Sequence, residues 1–100
     1  MKHASRATLA RLTPLLEQLR AIPGLVERAP GSFYRRSAAF LHFHEDPAGL
    51  FADAKLNLVS FERLPVNTPA EQSGLMRAVC SALNNAAKAD AKATSRSRRP

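Results

Sequence analysis

All six aromatic residues of this chain lie between residues 33 and 61, and both flanks contain none. Aromatic side chains favour strands, so the central segment is predicted to form a sheet. The flanking stretches TPLLEQLRAI and TPAEQSGLMRAVCSALNNAAKA instead carry apolar residues at helical spacing. The sequence therefore predicts an α+β fold: an N-terminal helix, a small antiparallel sheet of three to four strands, and a C-terminal helix packed on one sheet face.

The C-terminal helix has the clearest local signal. Thr68 and Glu71 fit a capping box, with Pro69 at the first helical position. Cys80 falls on the apolar stripe of this helix, which predicts a small core residue rather than a reactive thiol. The stripe comprises Gln72, Leu75, Met76, Val79, Cys80 and Leu83.

The net charge of +7 is confined to the two ends of the chain. Residues 1–20 hold four basic residues against one acid, and residues 86–100 hold five against one. Residues 21–85 hold six of each and are neutral. Attraction to nucleic acid or to acidic surfaces is therefore expected mainly from the ends.

One hundred residues allow a single small domain. We predict a basic N-terminal arm over residues 1–12, one α+β domain over residues 13–87, and a disordered basic tail over residues 88–100. A single cysteine excludes an internal disulfide and a zinc cluster built on cysteines. No apolar run is long enough for a membrane helix, and no secretory signal is recognisable, so a cytoplasmic protein without membrane contact is expected.

The stretch FLHFHEDPAG predicts a β-hairpin. Asp46-Pro47-Ala48-Gly49 suits a type I turn, and closure there places His42 opposite Asp53. Since strand side chains alternate, two faces follow. An apolar face against the helices has Leu41, Phe43, Ala52 and Ala54, and a second face has Phe40, His42, His44, Phe51, Asp53 and Lys55.

Three residues of the second face form a candidate metal site. His42 and His44 share that face, and Asp53 is adjacent to them across the strand pair. Two imidazoles and a carboxylate are a ligand set for zinc or nickel. The alternative interpretation is a cross-strand polar pair on a solvated face.

The same face is also a candidate nucleic-acid surface. Phe40 and Phe51 beside Lys55 would form a stacking platform, with Arg35 and Arg36 reaching phosphates. Alternatively, residues 1–12 or a second copy of the chain cover these phenylalanines. The candidate nucleic-acid-binding residues are Arg35, Arg36, Phe40, Lys55, Lys88, Lys92, Arg96, Arg98 and Arg99.

Parts of the chain resemble two families of small bacterial domains. Leu19, Pro23-Gly24, Phe33 and Phe40-Leu41 resemble the helix, turn and hairpin of the MmcQ/YjbR-like proteins, and this resemblance implies an α+β fold and DNA binding. A second resemblance, to the small module known as the luciferase domain, concerns its H-x-H strand, a following aspartate and a later aromatic residue. It implies a fold but no particular chemistry. The residues that match that module are His42, His44, Asp53 and Phe61.

The sequence indicates a non-enzymatic binding module. It has no Ser-His-Asp order, glycine-rich phosphate loop or HExxH motif. Weak, salt-sensitive nucleic-acid binding is the first hypothesis for its function. The alternatives are a domain that binds a metal or small ligand through the His-x-His strand, and a protein-interaction module that dimerises. No cofactor other than zinc or nickel is expected.

Overall fold

The computed structural model describes residues 2–97, and the side chains of residues 3–89. None of the helices in this range is both long and apolar enough to cross a membrane. In chain order the elements are β1 Lys2–His3, α1 Arg6–Ala10, α2 Thr13–Arg20, β2 Val26–Ala29, β3 Ser32–Arg35, β4 Ala38–Asp46, β5 Gly49–Ala54, β6 Glu62–Pro65 and α3 Pro69–Ser97.

The strands form one antiparallel sheet in the order β2-β3-β4-β5-β6, which confirms the α+β class. β1 pairs with the end of β4 that extends beyond β3. The sheet has more strands than the three to four predicted. The additional ones, β1 and β2, are two and four residues long and too short for a clear alternating pattern.

The predicted hairpin register is confirmed. His42 pairs with Asp53, and Asp46 pairs with Gly49 across the turn. The Asp46 carboxylate accepts a hydrogen bond from the Ala48 backbone N–H at 2.7 Å, which holds the turn. Gly49 has a φ of +134°, a conformation that a residue with a side chain rarely adopts.

The helices cover one face of the sheet, as predicted. The capping box also forms: the Thr68 N–H donates to Glu71 Oε1, and the Glu71 N–H donates to Thr68 Oγ1, both at 3.1 Å. Aliphatic residues of α1, α2 and α3 pack on a sheet face made largely of β3, β4 and β5. The central buried residues are Leu12, Leu15, Leu19, Phe33, Leu41, Phe43, Ala52, Ala54, Leu75 and Val79.

Residues 2–12 are part of the folded domain, whereas the sequence predicted a basic arm ending at residue 12. The Ala4 N–H donates to the Phe43 carbonyl at 3.1 Å, and the Thr8 hydroxyl donates to the Glu45 carboxylate. Leu9 and Leu12 are buried in the core. Their apolar side chains continue the stripe of α2 across the break that precedes Pro14, so two short helices pack as one surface.

Helix α3 differs from the prediction in two respects. Its backbone is helical through Ser97, although residues 88–100 were predicted to be a disordered tail; the alanines and lysine of this segment favour helix. Residues 98–100 lie outside the described range. Cys80 is exposed rather than buried, because the buried stripe passes through Val79 and Ala82 and leaves Cys80 beside it.

Phe40 is buried, with 2% of its surface exposed, which contradicts its predicted place on the open face. The cause is a β-bulge between β3 and β4. Phe33 pairs with Leu41 and Tyr34 pairs with Ala39, so Phe40 is the extra residue of β4. A bulge redirects the side chain, and here it adds Phe40 to the core beside Leu41.

The burial of Phe40 predicts a large difference between two phenylalanine variants. Phe40→Ala should lower the free energy of unfolding by about 3–5 kcal/mol, because it opens a cavity in the core. Phe61→Ala is the matched control, since Phe61 is 41% exposed and should cost about 1 kcal/mol. Urea unfolding followed by circular dichroism measures both. Equal, small losses for the two variants would contradict the burial of Phe40.

Candidate metal centre

The candidate site lies at the centre of the sheet face that the helices do not cover. The strand pairings align two rows of residues across this face. Each row consists of residues that lie opposite one another on neighbouring strands. His42 and Asp53 belong to the first row, and His44 belongs to the second. The rows are Ser32, His42, Asp53, Arg63 and His3, His44, Phe51, Pro65.

Three donor groups from these two neighbouring rows lie close together. Nε2 of His44 lies 2.7 Å from Nδ1 of His42 and 3.2 Å from Oδ2 of Asp53. One ligand atom from each residue lies within 4.8 Å of the other two. The structure therefore brings together all three residues that the sequence proposed as metal ligands.

Asp53 is held in its ionised form by Arg63. The guanidinium donates two hydrogen bonds to the carboxylate, from Nε to Oδ1 at 2.8 Å and from Nη2 to Oδ2 at 2.9 Å. These bonds are the main reason that the pKa of Asp53 is lowered, and burial opposes them. The side chain of Asp53 is only 12% exposed, so its orientation is fixed.

His42 is held in its neutral form. Burial lowers the pKa of His42, and the adjacent His44 lowers it further, while Asp53 acts in the opposite direction. A neutral imidazole is the form that binds a metal ion. For His44, the buried Nδ1 has no hydrogen-bond partner among the described residues, so no acceptor holds the Nδ1 proton that His44 would carry when Nε2 binds a metal ion.

The segment between β5 and β6 encloses one side of the site. The Phe61 ring contacts the His42 ring with centroids 4.8 Å apart, and the Lys55 ammonium lies 5.0 Å from the Phe61 centroid. The Asn57 side chain accepts hydrogen bonds from the N–H groups of Val59 and Ser60, both at 2.9 Å. This asparagine-centred turn brings the chain back over the histidines.

The spacing of the donor atoms is close to what zinc requires. Zinc–ligand bonds of about 2.1 Å place the ligand atoms of a tetrahedral site about 3.4 Å apart. The distance from His44 to Asp53 already fits, and the two histidine nitrogens would separate by about 0.7 Å to admit an ion. The widest spacing in the group reaches 4.8 Å and would have to close by about 1.4 Å. Oδ2 of Asp53 can bind a metal while it accepts from Arg63, because a carboxylate oxygen has two lone pairs.

Sequence reasoning did not connect His3 or Arg63 to this site, and it placed Phe61 beside the three candidate ligands only through a family resemblance. The distances of Arg63 and Phe61 from His42 depend on the length of the 55–61 connection. Asn57, which favours turns, was the available signal for that connection. His3 had no signal, because a two-residue strand shows no pattern.

The predicted nucleic-acid residues are only partly brought together. Arg35, Phe40 and Lys55 line one small surface pocket, but Phe40 is too buried to stack on a base. Arg36 lies in the β3–β4 turn with a φ of +51°. Lys88 is exposed on α3. The side chains of Lys92 and Arg96 lie outside the described range, as do Arg98 and Arg99 entirely.

Comparisons with protein-family models, with curated proteins and with solved structures find no match to this chain. The two family resemblances, nucleic-acid binding and dimerisation therefore stay predictions. The geometry of the histidine–aspartate cluster is the observation from which function can be argued.

Replacing Arg63 should raise the pKa of Asp53. In Arg63→Gln the carboxylate loses its main hydrogen-bond donor, so its pKa rises towards the ordinary value of about 3.9. A depressed pKa stabilises the fold above that value, and this contribution is lost as pH falls. The variant should therefore lose more stability at pH 7 than at pH 2.5.

Carbon-detected NMR of the Asp53 carboxyl group measures the shift directly. Arg77→Gln is the control, because Arg77 is exposed on α3 and away from this sheet face. An unchanged Asp53 titration in Arg63→Gln would contradict the assigned cause.

Proposed function

We propose that this protein is a metal-binding module that takes a divalent zinc or nickel ion through His42, His44 and Asp53. The observation that carries the proposal is the convergence of these three donor groups within 4.8 Å. All three side chains arise from adjacent, paired strands. Their backbone positions are therefore fixed by the sheet, and binding requires little ordering of the chain.

The donor set supports a borderline transition metal. Two imidazole nitrogens and one carboxylate oxygen suit zinc, nickel or copper, whereas calcium and magnesium prefer a shell of oxygens. Nickel and zinc also bind at a site of low net charge, because imidazole is a strong neutral ligand.

Arg63 limits the affinity that we expect. Its positive charge offsets that of Asp53, so the cluster attracts a cation less than two histidines and a free carboxylate would. The affinity is also lowered because Nδ1 of His44 has no hydrogen-bond partner among the described residues. Histidines that bind a metal usually donate their second N–H to a fixed acceptor. Zinc affinity is therefore expected to be lower than that of the same three ligands without these two features.

Isothermal titration of the chelator-treated protein with Zn²⁺ tests the proposal. The native chain should bind one ion, and His42→Asn should weaken binding at least about tenfold by removing a ligand. A saturating excess of zinc at 100 times the dissociation constant should raise the unfolding free energy by about 2.7 kcal/mol.

The matched control is Asp46→Asn. It removes a carboxylate from the end of the same strand but keeps an oxygen that can accept from the Ala48 N–H. Its zinc affinity should equal that of the native chain. An unchanged zinc affinity in His42→Asn, or a loss of zinc binding in Asp46→Asn, would contradict the proposed ligands.

A further inference from the structure

His3 is a third histidine on the same sheet face. It pairs with His44 in the β1–β4 register, and opposed residues of paired strands share a face. The His3 ring stacks on that of His44 at a tilt of 28°. His3 is exposed, and it is not one of the three residues proposed above as metal ligands.

The centroids of the three rings are spaced like those of imidazoles around one metal ion, while the donor atoms that lie within 4.8 Å of one another belong to His42, His44 and Asp53. The centroids are 4.6 Å apart for His42 and His44, 5.0 Å for His3 and His44, and 5.5 Å for His3 and His42. An imidazole bound to zinc has its centroid about 3.2 Å from the ion, so two such rings in a tetrahedral site lie about 5.2 Å apart. The observed spacings bracket that value.

The backbone beside His3 is anchored. The Ala4 N–H donates to the Phe43 carbonyl at 3.1 Å, and Ser5 caps α1 by accepting from the Thr8 N–H at 3.2 Å. To bind the ion, the His3 side chain has to rotate out of its stack on His44 so that a ring nitrogen faces the donor group. This change replaces ring stacking with a metal–nitrogen bond.

We infer that His3 is the fourth ligand of the metal proposed above, so that three histidines and Asp53 enclose a tetrahedral zinc ion. This inference rests on the proposed function. With four protein ligands the site is closed, which is the arrangement of a structural rather than a catalytic zinc ion. Zinc would then fasten β1 to the sheet centre.

The experiment compares zinc binding and cobalt spectra in the full chain. His3→Asn should weaken zinc binding at least about tenfold. With Co²⁺ as the probe, the native chain should give the strong visible absorption of a four-protein-ligand tetrahedral site, and His3→Asn a weaker, shifted spectrum. His3→Cys supplies another zinc ligand and should bind zinc about as strongly as the native chain.

Lys2→Gln is the matched control, because it alters the other residue of β1 and leaves all three histidines in place. It should match the native chain in both measurements. Amide hydrogen exchange gives an independent readout: zinc should slow exchange at residues 3–5 in the native chain but not in His3→Asn.

The outcomes separate the two proposals. Native binding with an unchanged affinity and cobalt spectrum in His3→Asn would overturn the role of His3 and leave the three-ligand site standing. No zinc binding by the native chain would overturn both. A well-dispersed amide NMR spectrum of His3→Asn excludes unfolding as the cause of lost binding.

Discussion

The pairing of β4 with β5 is the constraint on which the rest of this structure depends. Its register places the apolar side chains of both strands under the helices and aligns His42 with Asp53 on the opposite face. A slip of one residue would exchange these faces, bury the polar cluster and expose Phe43. Burial of the core on one side therefore fixes the chemistry on the other, and no separate interaction is needed to bring the ligands together.

The parts of the fold that sequence could predict are those with local signals. The Asp46 turn determined the hairpin register, and the Thr68 capping box located the start of α3. The bulge at Phe40 could not be predicted in this way, because no residue type marks it. It arises where β4 has one residue more than β3 between two successive pairings. Without the bulge, Phe40 would lie on the open sheet face, where it could stack on a base. The bulge buries Phe40 instead, and this removes it from the predicted nucleic-acid surface.

The candidate site also combines residues that local sequence signals predict with residues that they do not. His42, His44 and Asp53 follow from alternation and one turn, whereas Arg63 and His3 come from strands whose pairing depends on longer connections. Arg63 changes the electrostatics most, because its two hydrogen bonds keep the Asp53 carboxylate ionised at low exposure. The sequence of the hairpin alone therefore predicts the three donor residues but not the Arg63 guanidinium that neutralises the Asp53 carboxylate.

The Asp53–Arg63 pair also explains how the cluster can be stable without an ion. A partly buried carboxylate beside two imidazoles would be costly alone, and the guanidinium satisfies both of its oxygens. A metal ion would compete with this cation for the same negative charge. In the proposed metal site, the ion-pair network of Asp53 and Arg63 would therefore oppose binding of an ion, and the additional imidazole of His3 would favour it. Because His3 belongs to a strand of only two residues, a metal ion bound by it would add to the contacts of Ala4, Thr8 and Leu9 that already attach the N-terminal segment.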